Sequence, residues 1–177
     1  MNISKKTKER LFPFILTAGI IIADQISKAV IVATIDKHTV GARIFDDFLR
    51  IIHTRNLGVA FSIGVGVPAT LRSVLFTVVP LIVLAGLLVY YFRSDEFTNL
   101  QRWAVAGVIG GGLGNLIDRV FRAEGVVDFI DFKFYGLFGL ERWPTFNIAD
   151  SSVVVCGIIL LVSILFAGKK EGVEDNG

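Results

Sequence analysis

Val74–Phe92 reads VLFTVVPLIVLAGLLVYYF, with no charged residue from end to end. A helix needs ~20 largely apolar residues to cross ~30 Å of hydrocarbon, so this stretch predicts a membrane span. Three further segments are similar in kind. Leu11–Ala33 is apolar except for Asp24, Gln25 and Lys28, and Trp103–Ile117 is apolar except for Asn115. Val153–Ala167 is the fourth. The last two are too short to cross alone at 1.5 Å per residue. Each must extend through neighbouring polar residues. The expected spans are therefore about 11–33, 71–92, 103–121 and 147–167.

Composition agrees with the bilayer as solvent. Of 177 residues, 53% are apolar and 19% charged, with mean hydropathy +0.67. A soluble domain carries about 25% charged residues. Net charge is only +2, which argues against a nucleic-acid partner. The single cysteine, Cys156, excludes an internal disulfide framework and reads as inert core. His38 and His53 are the only histidines, and no HExxH or CxxC spacing occurs, so no metal or other cofactor is expected. His53 reads as a surface or cradle residue.

Basic residues set the orientation. Lys5, Lys6, Lys8 and Arg10 precede the first span, Lys169 and Lys170 follow the fourth, and Arg93 and Arg102 flank the loop between spans two and three. Both termini then face the cytoplasm. The basic start followed by an apolar run imitates a signal peptide. The run continues past Asp24 to Ala33 without a small-x-small cleavage site, so the first span is expected to be retained. One unit, 1–168, is expected, with 169–177 as a polar, disordered cytoplasmic tail. In the first outer loop, Arg43–His53 alternates weakly and predicts short strands. The second outer loop, Arg122–Pro144, is rich in Phe, Tyr and Trp, which suits the headgroup layer. Pro80 predicts a kink in span two, and Arg72 at its outer start can snorkel to headgroups.

The intramembrane polar residues converge on one side. Asp24 lies 13 residues beyond Leu11, about 20 Å along the helix, with Lys28 at i+4. Asn115, Asp118 and Arg119 share a stripe at the outer end of span three, and Asn147, Asp150 and Ser151 one at the outer end of span four. Polar groups at such depth cost free energy and usually mark function. A network of ion pairs tying helix ends is the competing reading for Asp24 with Lys28 and for Asp118 with Arg119. Asp150 and Asp128 lack a basic residue within four positions. Acids without a counter-ion beside hydrocarbon have raised pKa values and suit general acid–base work. Two such carboxylates sharing a proton would make an aspartic-protease pair. Asp24, Asp118, Asp128, Asp131 and Asp150 are the five acids near the outer face, and spacing alone does not select two. An ion-coupled transporter and a non-catalytic assembly subunit are the rival readings, though no internal repeat favours the first.

Four blocks resemble the lipoprotein signal peptidase (signal peptidase II) family. They are Asp24-Gln25 with Lys28; Arg55-Asn56-Leu57-Gly58-Val59-Ala60-Phe61-Ser62; Gly111-Gly112-Leu113-Gly114-Asn115-Leu116-Ile117-Asp118-Arg119 with Val126-Val127-Asp128-Phe129-Ile130-Asp131; and Phe146-Asn147-Ile148-Ala149-Asp150-Ser151. The resemblance spans nearly the whole chain. It implies four transmembrane helices, a small extracytoplasmic β-sheet cradle and a short, mobile lid helix after Phe61. It implies Asp128 and Asp150 as the catalytic pair, with substrate binding or polar support from Asn56, Gly58, Asn115, Arg119 and Asn147. Asp24, Gln25, Lys28 and Asp118 take structural roles. The implied substrate is a prolipoprotein whose lipobox cysteine bears diacylglycerol, cut just before that cysteine. The implied setting is the bacterial inner membrane, among its lipids, as a monomer with the site near the outer face. The stretch between the two acids, including Tyr135–Gly139, is longer than is usual in the family. The glycines at 110–112 and 114 would let a helix approach closely, either the substrate's or one of the protein's own.

Overall fold

The computed structural model describes residues 5–58 and 68–174. Six helices and three strands run α1 (Lys5–Leu11), α2 (Phe14–Thr34), β1 (Val40–Ile44), β2 (Leu49–Asn56), α3 (Ala69–Ser73), α4 (Val79–Arg93), α5 (Asn99–Phe121), β3 (Val126–Phe132) and α6 (Ile148–Glu174). Four continuous helical stretches are long and apolar enough to span a membrane: Lys6–Thr34, Thr70–Arg93, Asn99–Phe121 and Ile148–Phe166. These are the expected four, extended through polar residues as the short apolar runs require. The chain is therefore a multi-pass membrane protein.

Local chemistry sets the ends. Pro13 lacks an N–H and separates α1 from α2. α5 begins with a capping box: the Thr98 hydroxyl accepts from the Gln101 N–H (3.3 Å), and the Gln101 side chain accepts from the Thr98 N–H (2.9 Å). A π-helical turn, Val74–Val78, joins α3 to α4 just before Pro80, so the expected irregularity in span two is present. The helix does not stop at 168. Its backbone continues through Glu174, which corrects the expectation of a disordered tail for 169–174. The expected lid after Phe61 falls on 61–67, outside the described residues.

α5 is the central helix. It packs on α2, α4 and α6, and 12 of its residues are buried. By contrast, Ile22, Ile26, Ile82, Val83, Ile158 and Leu161 expose more than half their surface, as lipid-facing side chains do. Glycine makes the central packing possible. A Cβ on Gly111 would stand 2.3 Å from the Ala149 carbonyl oxygen of α6, and one on Gly110 would stand 3.1 Å from the Thr17 Cα of α2. The glycine run thus seats the protein's own helices.

The three strands form one antiparallel sheet in the order β1-β2-β3. β1 and β2 fall where the weak alternation predicts strands. β3 was not anticipated from the pattern of its residues. Val127 and Phe129 pack with Ile31 of α2, which seats the sheet on the end of the bundle where α2 finishes. His53 of β2 is a buried cradle residue, its Nδ1 2.7 Å from the Ile35 carbonyl oxygen.

Gly111→Ala should destabilise the protein by about 1–3 kcal/mol through overpacking against backbone, whereas Gly157, with nothing within 4 Å of its would-be Cβ, should tolerate Ala. Thermal unfolding of both variants in detergent micelles checks this; equal unfolding temperatures would disprove the packing account.

Candidate active site

The site is assembled from four elements around three asparagines. Asn147 precedes α6 and acts as its cap. Its Oδ1 accepts from the Asp150 N–H (2.9 Å), while the Asp150 carboxylate accepts from the Asn147 N–H (3.2 Å). This reciprocal pair is a capping box with Asp150 at the third helical position. The same Asn147 reaches β3 with its amide nitrogen, donating to Asp128 Oδ1 (2.7 Å). One residue therefore holds both acids. Asn56, at the end of β2, donates to Asp128 Oδ2 (3.0 Å), and its own Oδ1 accepts from the Gly58 N–H (3.0 Å). Asn115 of α5 donates to Asp150 Oδ1 (2.7 Å).

Backbone pairing brings β3 and the start of α6 together. The Phe129 and Ile130 N–H groups both donate to the Phe146 carbonyl, and Phe146 N–H donates back to Ile130. Asp128 is almost fully buried. Burial, with the charge of nearby Asp150 adding to it, pushes its carboxyl up to about 7, against the Asn56 and Asn147 hydrogen bonds that lower it.

Beneath the pair lies a buried ion cluster. Lys28 Nζ contacts Asp24 (2.8 Å) and Asp118 (3.1 Å), and all three side chains are fully buried. Lys28 also donates to Asn115 Oδ1 (3.0 Å). Asp24 accepts from the Ala149 N–H of α6 (3.0 Å), and Asp118 from the Val127 N–H of β3 (3.0 Å). Gln25 donates to both acids and to the Gly114 carbonyl, each at 3.1 Å. The competing ion-pair reading joins Asp118 to Arg119. The structure corrects this: Asp118 pairs with Lys28 and with Arg122 (2.9 Å), the residue at i+4. Arg119 instead donates to the carbonyls of Phe76 and Gly58.

Of the five candidate acids, three are thus engaged by cations. Asp131 accepts two 2.8 Å contacts from Arg142. Asp128 and Asp150 are held by amides alone. Arg142 is a residue that spacing along the chain could not connect to Asp131. Asp150 and Arg119 line a cavity of about 810 Å³ whose walls include Phe146, Trp143, Val154 and Val155. Val154 and Val155 are also exposed on the apolar surface of α6.

Comparisons with known proteins identify the family. The family described as Signal peptidase (SPase) II matches residues 16–166. A lipoprotein signal peptidase of Treponema pallidum is 46% identical over 93% of this chain and 89% of the relative. That of Treponema denticola is 45% identical over 93% of this chain and 94% of the relative. A bacterial membrane enzyme solved by the in meso method at 2.3 Å superimposes with a TM-score of 0.77, at 30% identity and 90% coverage of each chain. With the match running from the first span to the last and through both acid-bearing segments, the chain belongs to the signal peptidase II family, a family of proteases.

Proposed function

We propose that this protein removes the signal peptide from diacylglyceryl-modified prolipoproteins, cutting just before the lipidated cysteine, with Asp128 and Asp150 as its catalytic pair. The observation that carries the reading is the pair itself: two acids without cation contacts, joined through Asn147, with Asp150 at the wall of a largely apolar cavity. A peptide whose first residue bears acyl chains needs its scissile bond at the membrane edge, with hydrocarbon beside the reacting atoms.

The chemistry requires one proton on the pair. At neutral pH we assign it to Asp128. Asp150, ionised and fed by the Asn115 and Asn147 N–H groups, takes a proton from water as that water attacks the scissile carbonyl carbon. Asp128 gives its proton to the carbonyl oxygen. The tetrahedral diol then collapses: the C–N bond breaks, the amine leaves with the proton held by Asp150, and Asp128 recovers a proton from the diol. Asn56, Gly58, Asn115, Arg119 and Asn147 orient the acids and the peptide. Asp24, Gln25, Lys28 and Asp118 hold the frame. The working unit is 1–168, a monomer among the lipids of the inner membrane. Both termini and the 169–177 tail face the cytoplasm, the sheet and site face outward, and a lid helix closes over the site.

Three outcomes test this. Asp128→Asn and Asp150→Asn should each lower cleavage of a lipid-modified preprotein at least 10³-fold, since each removes a proton carrier worth ~10²–10⁴ and the shared proton itself. The variants should still fold, and near-normal turnover by either would remove that residue from the pair. For pH, the sign follows from the raised Asp128 carboxyl. The singly protonated pair persists below about 7 and is lost above it. The kcat/KM profile should therefore fall on the alkaline side with a midpoint near 7; a flat profile to pH 9 would contradict the shared proton. Activity should also survive chelators and serine-directed reagents, and strong inhibition by a chelator would point to metal chemistry instead.

A further inference from the structure

A second, smaller cavity of about 330 Å³ lies beside Asn56, with Arg119 common to both. Its lining brings together three arginines from two spans: Arg72 at the outer start of span two, and Arg119 and Arg122 at and just beyond the outer end of α5. Thr77 and Asn56 add polar groups, and Phe76 and Leu57 add apolar wall. No carboxylate lines it among the described residues. The nearest acid in the network, Asp118, is fully buried and already neutralised by Lys28 and Arg122. Arg122 uses its Nε on Asp118, and Arg119 donates to two carbonyls. Arg72 has no acidic partner among the described residues.

Arg72, together with the guanidinium N–H groups that Arg119 and Arg122 do not spend on these partners, suits an anion in the cavity. Guanidinium forks match phosphate oxygens in pairs, and basic pockets between spans take lipid headgroups. The apolar walls and the place at the outer helix ends fit a phosphate that carries chains. We propose that Arg72, Arg119 and Arg122 form a phosphate-binding pocket that holds the headgroup of a phospholipid beside the proteolytic site. This goes beyond the cleavage reading and does not depend on it.

Native mass spectrometry of the intact protein in micelles tests it. The probes are dioleoyl phosphatidylglycerol, dioleoylglycerol (the same chains without phosphate) and inorganic phosphate. The wild type should retain one phosphatidylglycerol at least tenfold more tightly than dioleoylglycerol. Arg72→Gln should weaken that binding at least fivefold, Arg72→Lys should fall between the two, and Arg93→Gln, at the opposite end of the span, should match wild type. Displacement of the lipid by millimolar inorganic phosphate would identify the free ion as an alternative occupant of the same pocket. Resistance to it would assign the pocket to lipid. Equal binding by wild type, Arg72→Gln and Arg72→Lys, or equal retention of the two lipids, overturns the proposal.

Discussion

Lys28 is the fixed point of the structure. It has no exposed surface, yet its ammonium contacts Asp24 and Asp118, which are equally buried. Taking three charges out of water carries a desolvation cost of several kcal/mol per ion, and such clusters are poor sources of net stability. What this one supplies is position. Asp24 uses its second oxygen on the Ala149 N–H at the start of α6, and Asp118 accepts the Val127 N–H at the start of β3 with the same oxygen that contacts Lys28. Val127 precedes Asp128, and Ala149 precedes Asp150. A single cation on the first span thereby sets the backbone immediately before both acids.

The surrounding solvent explains why so much of this network is amide rather than ionic. In hydrocarbon an unpaired polar group is costly, and every donor and acceptor must be met from inside the protein. Asn115 accepts from Lys28 and Asn147 and donates to Asp150. Asn147 donates to Asp128 and caps the helix that carries Asp150. Neutral amides satisfy carboxylate oxygens without fixing their charge, as an arginine would. Both Asp128 and Asp150 are thus held in place without a cation on either carboxylate. Gly114 belongs to the same arrangement: a Cβ there would fall 2.9 Å from an Asp24 oxygen, inside the cluster.

The sequence made the spans plain because hydropathy over ~20 residues is a strong signal. It also placed the polar stripes, because helical spacing is rigid. It did not identify β3. Val126–Phe132 is covered on both faces, so the alternation that announces a strand is missing. Nor could spacing separate Asp128 from Asp131. What sets Asp131 apart is chiefly Arg142, 11 residues along the chain and brought to it by the hairpin pairing of Lys133 with Arg142. Family motifs pointed to Asp128; the residues alone did not. The misjudged partner of Asp118 was a local matter. Arg119 adjoins it but points away around the helix, and Arg122 at i+4 shares its face.

Arg119 shows how a backbone irregularity in one span serves chemistry in another. Pro80 has no N–H, so the Phe76 carbonyl, four residues earlier, loses its ordinary helical donor. Water cannot replace that donor within a bilayer. The Arg119 guanidinium does, from the neighbouring span, and it reaches the Gly58 carbonyl as well. Its ring-face contact with Phe76, 5.8 Å from the centroid, holds it further. The consequence concerns the acids. A guanidinium placed in bidentate contact with Asp150 would hold that carboxylate ionised and weaken it as an acceptor of a proton from water. Engaged by two carbonyls instead, the positive charge stays beside the cavity without quenching the acids. The proline in span two thus leaves free the carbonyl that holds Arg119 beside the cavity.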